Sequence, residues 1–374
     1  MINGISLAAS PTNKQKITIN QWFGCSRFIR NAKCEENNYL SKYAKKYLPI
    51  GTYPKPDQTF SQYKDKTLTP WLFDCPSQIL RNSVSNWYHT YSQFLKGHCN
   101  KPKKKRKTNE DGIHLTKELF KFKKCPYGVV RLFIGTKTNN IGYLNIKIHK
   151  NFKEPNSIYL KRKNNRYFVS FCYEDNKEDS ISQIEHFKYL QTLPEKQLEK
   201  NTVGIDRGIT RPVQAGDNVY DFTFEQKKKK REKEKYIKRY QKKIAKQKKG
   251  SKRRKKTKHS ISKAHEKIKN IRNDFCHKTS RAIVNNKSNN IIIFEALATK
   301  NMTKKPQPKK DEKTNRYVKN NRKQKASLNK SVLDKSWHRL ETYTKYKAIR
   351  ADKVWFKISA NYTSQECADC GRIH

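Results

Sequence analysis

The sequence predicts a multidomain α+β protein, in which a helical domain and a small β domain precede an α/β domain. Three observations predict this class. Apolar residues recur at helical spacing between residues 12 and 98, and the apolar period changes to two between residues 108 and 180. Later in the chain, two short apolar runs each end in a carboxylate, at Asp206 and at Glu295.

The charge of the chain points to a polyanionic partner. The 374 residues include 85 Lys+Arg and 32 Asp+Glu, which gives a formal net charge of +53. A protein this basic repels itself unless nucleic acid or an anionic membrane neutralises it. The sequence shows neither an apolar run long enough to span a bilayer nor the start of a signal peptide, so we expect nucleic acid and no membrane. The nine scattered cysteines predict a reducing compartment, either the nucleoid-associated cytoplasm of a prokaryote or the nucleus of a eukaryotic host.

The first part of the chain carries two helix-start signals and then strand signals. Thr12 and Gln15 have the spacing of a capping box, and Asp74 is expected to be the N-cap of a second helix. Residues 141–148 alternate, and residues 158–173 have the pattern of a hairpin around a polar turn. The sequence therefore predicts a helical part followed by a small β-barrel or sheet, to which residues 1–9 could add a strand.

The second part of the chain predicts a strand that ends at Asp206, two further strands, a basic helical hairpin, and a buried strand that ends at Glu295. This order is that of an RNase H-like nuclease, whose adjacent strands bring their carboxylates to one edge of the sheet. Such a pair could bridge two Mg²⁺ ions against a phosphodiester. Taken alone, Asp206 could equally be an N-cap or turn residue, and Glu295 a surface residue after a strand.

Clusters of Lys and Arg lie at residues 101–107, 227–258 and 304–325. A charge run can be a solvated face or a disordered tail, but these clusters flank apolar segments, which favours contact with phosphates. The candidate nucleic-acid-binding residues are Arg27, Lys103, Lys104, Lys105, Arg106, Lys228, Lys229, Arg231, Lys252, Arg253, Arg254, Lys255 and Arg272.

Near the last residue stands Cys367-Ala-Asp-Cys370-Gly371, which has the pattern of one zinc knuckle. A closed structural Zn²⁺ site needs four ligands, usually from two knuckles. The sequence therefore offers half a site, at Cys367 and Cys370, to which His374 could add a third ligand. An unmetallated tail is the alternative.

These motifs resemble the TnpB proteins of bacterial insertion sequences, the OrfB-type transposases related to type V CRISPR effectors. The resemblance covers nearly the whole chain and rests on several motifs in the family's order: Phe23-Gly-Cys-Ser-Arg-Phe-Ile-Arg-Asn31, Gly204-Ile-Asp-Arg-Gly-Ile209, the basic segment 249–278, Ile291-Ile-Ile-Phe-Glu-Ala-Leu297, the segment 328–337, and Tyr362-Thr-Ser-Gln-Glu-Cys-Ala-Asp-Cys-Gly371.

The resemblance implies an RNA-guided DNA endonuclease that acts as a monomer with a guide RNA from the transposon end, reads target DNA by pairing, and cuts it at a Mg²⁺-dependent RuvC site. It also implies a division into domains. These are a wedge-like β-barrel of residues 1–10 and 100–185, a helical recognition domain of residues 11–99, a linker of residues 186–200, a RuvC-like nuclease domain of residues 201–362 with a basic helical hairpin at 225–275, and a truncated zinc ribbon of residues 363–374.

The sequence departs from the family at one point. The family's second Cys-x-x-Cys and its third carboxylate, in an Asp-x-Asn-Ala segment, are not among the 374 residues. We therefore expect a C-terminally truncated nuclease that is impaired in cleavage. Two other functions remain open: an RNA-guided DNA-binding protein that no longer cuts, as a repressor or a relic, and a transposase in its own right.

Overall fold

The computed structural model describes residues 2–50, 57–108, 110–124, 130–174, 182–318, 320–361 and 372. The chain divides into two compact units, residues 1–178 and residues 179–374. Among the described residues, no helix contains an 18-residue stretch apolar enough to cross a membrane.

The elements of unit 1 are β1 Ile2–Ser10, α1 Asn13–Tyr47, α2 Ser77–Leu95, β2 Glu110–Thr116, β3 Phe120–Lys124, β4 Val130–Gly135, β5 Asn140–Lys147, β6 Ser157–Lys163 and β7 Arg166–Glu174. Those of unit 2 are α3 Gln183–Gln191, α4 Glu195–Asn201, β8 Thr202–Asp206, β9 Val213–Ala215, β10 Asn218–Tyr220, α5 Phe224–Ala245, α6 Lys252–Asn285, β11 Ile291–Glu295, α7 Thr299–Met302, β12 Lys309–Lys310, β13 Tyr317–Val318, α8 Arg322–Lys335, α9 Trp337–Arg350 and β14 Val354–Ile358.

The sheet of unit 1 is strongly curled. Its seven strands follow the order β2-β6-β7-β1-β5-β4-β3, so β2 and β3 are the two outer strands. Only the short turn Lys117–Leu119 joins them. Such a connection spans at most about 14 Å, whereas the outer strands of a flat seven-stranded sheet would be about 29 Å apart. The sheet must therefore roll up until its outer strands approach each other. The predicted sheet is confirmed, and its closure into a barrel stays a prediction.

Strand β1 lies at the centre of this sheet, between β7 and β5, with antiparallel pairing to both. Its residues alternate between buried and exposed positions, and Leu7 is fully buried. The strand predicted at the N-terminal end is thus confirmed. By pairing with both, β1 brings β5 and β7 into one sheet.

Helices α1 and α2 pack on the sheet and share its hydrophobic core, to which Trp22 and Leu80 belong. The capping box at the start of α1 is confirmed, since the Thr12 and Gln15 side chains each accept a bond from the other residue's backbone N–H. The prediction of Asp74 as the N-cap of α2 is wrong, because that helix begins at Ser77. The Asp74 carboxylate instead accepts a hydrogen bond from Gln21 Nε2 at 3.0 Å.

Unit 2 is built on a five-stranded sheet with the order β10-β9-β8-β11-β14. Strands β8, β9 and β10 pair in antiparallel fashion, and β11 is parallel to both β8 and β14. The predicted helical hairpin is present as α5 and α6, which meet along an apolar seam of Ile237, Ala264 and Ile268. The segment expected to be a linker forms α3 and α4, and a capping box at Ser182 begins α3.

We expect the substitution Leu7→Ala to lower the free energy of unfolding of unit 1 by about 2–5 kcal/mol, because it leaves a cavity in the central strand. Hydrogen exchange at the amides of β1, β5 and β7, measured by mass spectrometry on the full chain, would show this as faster exchange. The control is Ser6→Ala, since Ser6 is exposed and its hydroxyl bonds the hydroxyl of its cross-strand neighbour Ser170. Equal exchange rates in the two variants would contradict a core role for β1.

Candidate functional site

The two predicted catalytic carboxylates stand at the ends of neighbouring strands. Asp206 is the last residue of β8 and Glu295 is the last residue of β11. These strands are parallel, and the register pairs Ile205 with Phe294, so the next position on each strand carries the acid. Parallel neighbours lie about 4.8 Å apart. The prediction that both acids lie at one edge of the sheet is confirmed.

Both acids also belong to the same face of the sheet. Side chains alternate along a strand. Ile205 and Phe294 lie in the core on one face, whereas Ile293 packs in a separate apolar cluster with Leu190 of α3. Asp206 and Glu295 follow Ile205 and Phe294, so both belong to the opposite face, the face of Ile293. The carboxylates can therefore share a ligand without crossing the sheet.

The turn after Asp206 requires a glycine. Gly208 N–H donates to the Arg211 carbonyl at 3.1 Å and closes the turn between β8 and β9. A Cβ atom at Gly208 would lie 2.7 Å from that carbonyl oxygen, closer than real contacts allow. Arg207 and Gly208 thus end β8 sharply, and Asp206 is exposed as its last residue.

Sequence reasoning missed Arg207, which lies buried beside the acidic pair. Its side chain is 1% exposed and donates to Glu341 Oε2 of α9 at 2.9 Å. It also donates to the main-chain carbonyl of Glu295 and packs 5.2 Å from the centre of the Phe294 ring. The other oxygen of Glu341 pairs with Lys357 of β14 at 2.5 Å. No sequence signal marks these contacts, because the partners are far apart in the chain.

Within the described part of the chain, no group of three or more His, Cys, Asp or Glu residues is placed to hold a metal ion. Asp206 and Glu295 are therefore a pair of candidate ligands. The predicted zinc ligands Cys367 and Cys370 lie outside the described residues.

Unit 1 contains a basic groove between α1, α2, β2, β6 and the segment 105–108. It has a volume of about 700 Å³, and its lining includes Arg27, Arg30, Lys105, Arg106 and Lys161. On one wall, the rings of His114 and Tyr159 are stacked with their centres 4.6 Å apart. Cations beside an exposed aromatic ring suit both phosphates and bases.

The segment that carries Lys105 is fixed to α1 by one amide side chain. Asn31 Oδ1 accepts from the Lys105 backbone N–H at 2.8 Å, and Asn31 Nδ2 donates to the Lys105 carbonyl at 3.0 Å. One turn away, Lys104 pairs with Glu35 of α1. These bonds hold the basic segment along the helix and set Lys105 at the groove beside Arg30.

Arg30 lies close enough to Lys105 to lower the pKa of that lysine. Burial lowers the pKa of Lys105, and the Arg30 guanidinium lowers it further. Burial also lowers the pKa of Arg30, whose Nε has no hydrogen-bond partner among the described residues. By contrast, Arg27 and Arg162 both pair with Asp111, at 3.2 Å and 2.8 Å. The groove thus contains two cations whose repulsion an anion would relieve.

Sequence reasoning named Arg27 but missed Arg30. The two residues are three positions apart on one helix, which places them on the same face. That spacing was the signal that could have found Arg30.

Among the other predicted nucleic-acid-binding residues, some have bonds within the chain and most are exposed. Arg254 and Arg272 bond other parts of the chain. Arg254, in the first turn of α6, donates to the Gln247 carbonyl of the α5–α6 loop at 2.7 Å. Arg272 pairs with Asp334. Lys229 pairs with Glu225 on its own helix. The exposed residues are Lys103, Lys104, Arg106, Lys228, Lys229, Arg231, Lys252, Arg253 and Lys255.

Comparison with known proteins gives three family models and several relatives. Residues 170–306 match the OrfB_IS605 model, described as "Probable transposase", and residues 337–374 match "Cas12f1-like, TNB domain". Residues 1–35 match the HTH_OrfB_IS605 model, described as "Helix-turn-helix domain". In this structure the described part of that segment is a strand followed by the start of one continuous helix.

Two curated relatives align over almost the whole chain. A protein of Escherichia coli named "Putative RNA-guided DNA endonuclease InsQ" is 25% identical over 367 residues, which cover 96% of this chain and 81% of the relative. A Streptomyces pristinaespiralis protein named "Putative RNA-guided DNA endonuclease" is 21% identical over 371 residues, which cover 97% and 79%.

Among solved structures, the protein of a Cas12f1–sgRNA–target DNA complex has a TM-score of 0.57 and 10% identity, over 100% of this chain and 92% of that one. This likeness shows that the chain has a Cas12f1-like α+β fold. The family models and the two relatives support the assignment of the chain to the TnpB family, which its motifs indicated.

The groove geometry makes a direct prediction about Lys105. We expect Arg30→Ala to raise the pKa of Lys105 toward the ordinary lysine value, because the substitution removes the neighbouring cation. NMR of ¹³C-labelled lysine across a pH series would measure it. Arg106→Ala is the matched control, since Arg106 also lines the groove but is not among the groups that lower this pKa. An unchanged Lys105 pKa in Arg30→Ala would contradict the placement of the two cations.

Proposed function

We propose that the chain is an RNA-guided DNA endonuclease of the TnpB type, which cleaves through a RuvC-like site with Asp206 and Glu295 as its catalytic carboxylates. The observation that carries this proposal is the position of the two acids, on one face of the sheet at the ends of the parallel strands β8 and β11. The names of the relatives from Escherichia coli and Streptomyces pristinaespiralis support the same activity.

The sheet of unit 2 supports an RNase H-like fold for this site. Three antiparallel strands, β10, β9 and β8, precede the parallel strands β11 and β14 in the sheet order. This arrangement leaves the ends of β8 and β11 side by side. In the proposed domain organisation, unit 2 holds the RuvC-like domain, and unit 1 combines the wedge-like barrel with the recognition helices.

The donors fit Mg²⁺, which proteins commonly hold through one or two carboxylates while waters and substrate phosphates complete the shell. Asp206 and Glu295 would be those carboxylates. When bound, Mg²⁺ would stabilise charge on the oxygens of the scissile phosphodiester. The chain's own contribution is to fix the two carboxylates at one separation through the register of β8 and β11. A Zn²⁺ site at Cys367 and Cys370 remains a prediction.

The proposed partners are a guide RNA and target DNA, bound by one copy of the chain. The basic groove of unit 1 and the exposed cations of α5 and α6 would contact phosphates, which supply affinity that depends steeply on salt. In this arrangement, guide pairing would read the target sequence while the protein reads the shape of the duplex. Tyr159, whose side chain is 40% exposed, offers a ring for a base at the groove.

A second function is guide-dependent DNA binding without efficient cleavage. The observation that favours it is that the described residues bring together two candidate metal-binding acids and no group of three. Two-metal catalysis needs both ions fixed against the phosphate. For this reason we expect cleavage by the 374-residue chain to be slow relative to its guide-dependent binding.

Asp206→Ala and Glu295→Ala should each lower guide-dependent cleavage of a plasmid by at least about 100-fold. Loss of a metal ligand itself should cost more than loss of a residue that only supports a ligand, which typically costs about 10- to 100-fold. The assay uses the chain, a guide RNA and Mg²⁺. Asp217→Asn is the matched control, because Asp217 is an exposed acid in the turn between β9 and β10.

Binding of guide RNA, measured by filter retention, should stay the same in all three variants. Full cleavage by Asp206→Ala would rule out the proposed site. Guide-dependent binding with no cleavage by the unaltered chain would establish the second function instead.

The basic groove predicts a change in the salt dependence of RNA binding. Arg30→Ala and Lys105→Ala should each reduce the slope of log K against log salt by about 1, because each removes one phosphate contact. Filter binding from 50 to about 400 mM salt would measure it. The control is Lys14→Ala, an exposed lysine in the first turn of α1. If all three variants changed the slope equally, the groove would have no special part in binding.

A further inference from the structure

Arg207 has contacts that set it apart from the other cations of unit 2. It directly follows Asp206, yet it packs on the Phe294 ring, which belongs to the opposite face of the sheet from the two carboxylates. Its charge therefore acts on the acidic pair from behind the sheet. Being 1% exposed, the side chain does not reach a substrate.

The contacts of Arg207 join four elements at the edge where the acids stand. Its guanidinium bonds the main-chain carbonyl of Glu295 at the end of β11 and the carboxylate of Glu341 on α9. Glu341 in turn pairs with Lys357 of β14 at 2.5 Å. Since Arg207 itself continues β8, this set of side chains fixes the ends of all three parallel strands.

Glu341, which pairs with Arg207, could be considered as a third metal ligand, and its contacts argue against that role. Oε2 accepts from Arg207 at 2.9 Å and Oε1 pairs with Lys357 at 2.5 Å. Both oxygens are engaged by cations, and the side chain is 13% exposed. A carboxylate held in this way neutralises the buried guanidinium rather than offering oxygens to an ion.

A buried ion pair of this kind is a weak source of stability. Removing two charges from water costs about as much as their attraction returns, and an apolar pair of similar volume is often as stable. In addition, Arg207 Nε is buried without a hydrogen-bond partner among the described residues. The fold therefore gains little stability from Arg207, and the geometry that it imposes is the better reason for its presence.

We propose that Arg207 and Glu341 form a positioning pair, which locks the ends of β8 and β11 so that the Asp206 and Glu295 carboxylates keep the separation that a shared divalent cation requires. This inference rests on the proposed function, because it assumes that the acidic pair binds metal. It assigns a role to two residues that do not touch the ion or the substrate. Outer partners of metal ligands commonly act in this way.

The experiment measures Mn²⁺ binding to the full chain by electron paramagnetic resonance, with Asp206→Ala defining the contribution of the site. We expect Arg207→Met and Glu341→Gln each to raise the Kd for Mn²⁺ by about 10-fold. Arg207→Lys keeps the charge but loses the planar guanidinium, whose two nitrogens bond Glu341 and Glu295, so its Kd should fall between those of these variants and that of the unaltered chain. The double variant Arg207→Met/Glu341→Gln should have a Kd for Mn²⁺ no higher than that of either single variant, because the two residues act as one unit.

Lys230→Met is the matched control for loss of a buried cation. Lys230 is 8% exposed, pairs with Asp334, and lies 4.2 Å from the centre of the Phe222 ring in the same unit. The melting temperature of every variant is recorded. Lys230→Met should leave the Kd for Mn²⁺ unchanged even where it lowers the melting temperature as much as Arg207→Met does.

The outcomes separate this inference from the proposed function. If Asp206→Ala abolishes Mn²⁺ binding but Arg207→Met and Glu341→Gln leave the Kd unchanged, the positioning role is overturned and the proposed site stands. If Lys230→Met weakens Mn²⁺ binding as much as Arg207→Met does, the effect is general destabilisation and the inference is also overturned. If Asp206→Ala does not change Mn²⁺ binding, the proposed site fails and the positioning role fails with it.

Discussion

The parallel pairing of β8 with β11 is the constraint on which the candidate site depends. The two strands are far apart in the chain, and the register of Ile205 with Phe294 decides which residues meet at their ends. A slip by one residue would move one carboxylate to the other face of the sheet. The register is specified by burial, because Val203, Ile205, Ile292 and Phe294 all enter the same core. The position of the two carboxylates at the edge is thus set by apolar residues that lie away from it.

The same chain must accommodate a net charge of +53. It does so by giving its buried cations local partners. Lys33, 1% exposed, bonds Glu36 at 2.9 Å and Asp57 at 2.5 Å, and it lowers the pKa of Asp57. Lys230 and Arg272 share Asp334. Acids that pair with buried cations cannot neutralise cations at the surface. The remaining lysines and arginines therefore form positively charged exposed regions. A surface of this kind attracts polyanions from a distance.

The sequence predicted the parts of the structure that depend on local pattern. Thr12 and Gln15 have the spacing of a capping box, and the apolar runs before Asp206 and Glu295 are too short for helices, so strands and their ends could be placed. The start of α2 was missed because Asp74 has a side-chain bond to Gln21, on another helix. A propensity argument cannot detect such a partner.

Long-range side-chain contacts could not be predicted for the same reason. Arg207 and Glu341 are 134 residues apart, and nothing in the residues around either one indicates that they meet. Arg30 and Lys105 come together because Asn31 and the Lys104–Glu35 pair hold the basic segment along α1. The sequence therefore predicted which strand ends carry the acids, whereas the residues that hold those ends in place emerged only from the fold.

In the helical hairpin of α5 and α6, repulsion between like charges opposes folding. Its apolar seam is small, with Ile237, Ala264 and Ile268 as the buried residues. Capping by Thr223 and Ser251 stabilises the starts of α5 and α6, but the exposed lysines and arginines on both helices repel one another. A polyanion along the hairpin would remove that repulsion. It would also stabilise the folded form, since any ligand that binds only the folded state does so. A nucleic acid bound along this basic surface would therefore also stabilise the hairpin itself.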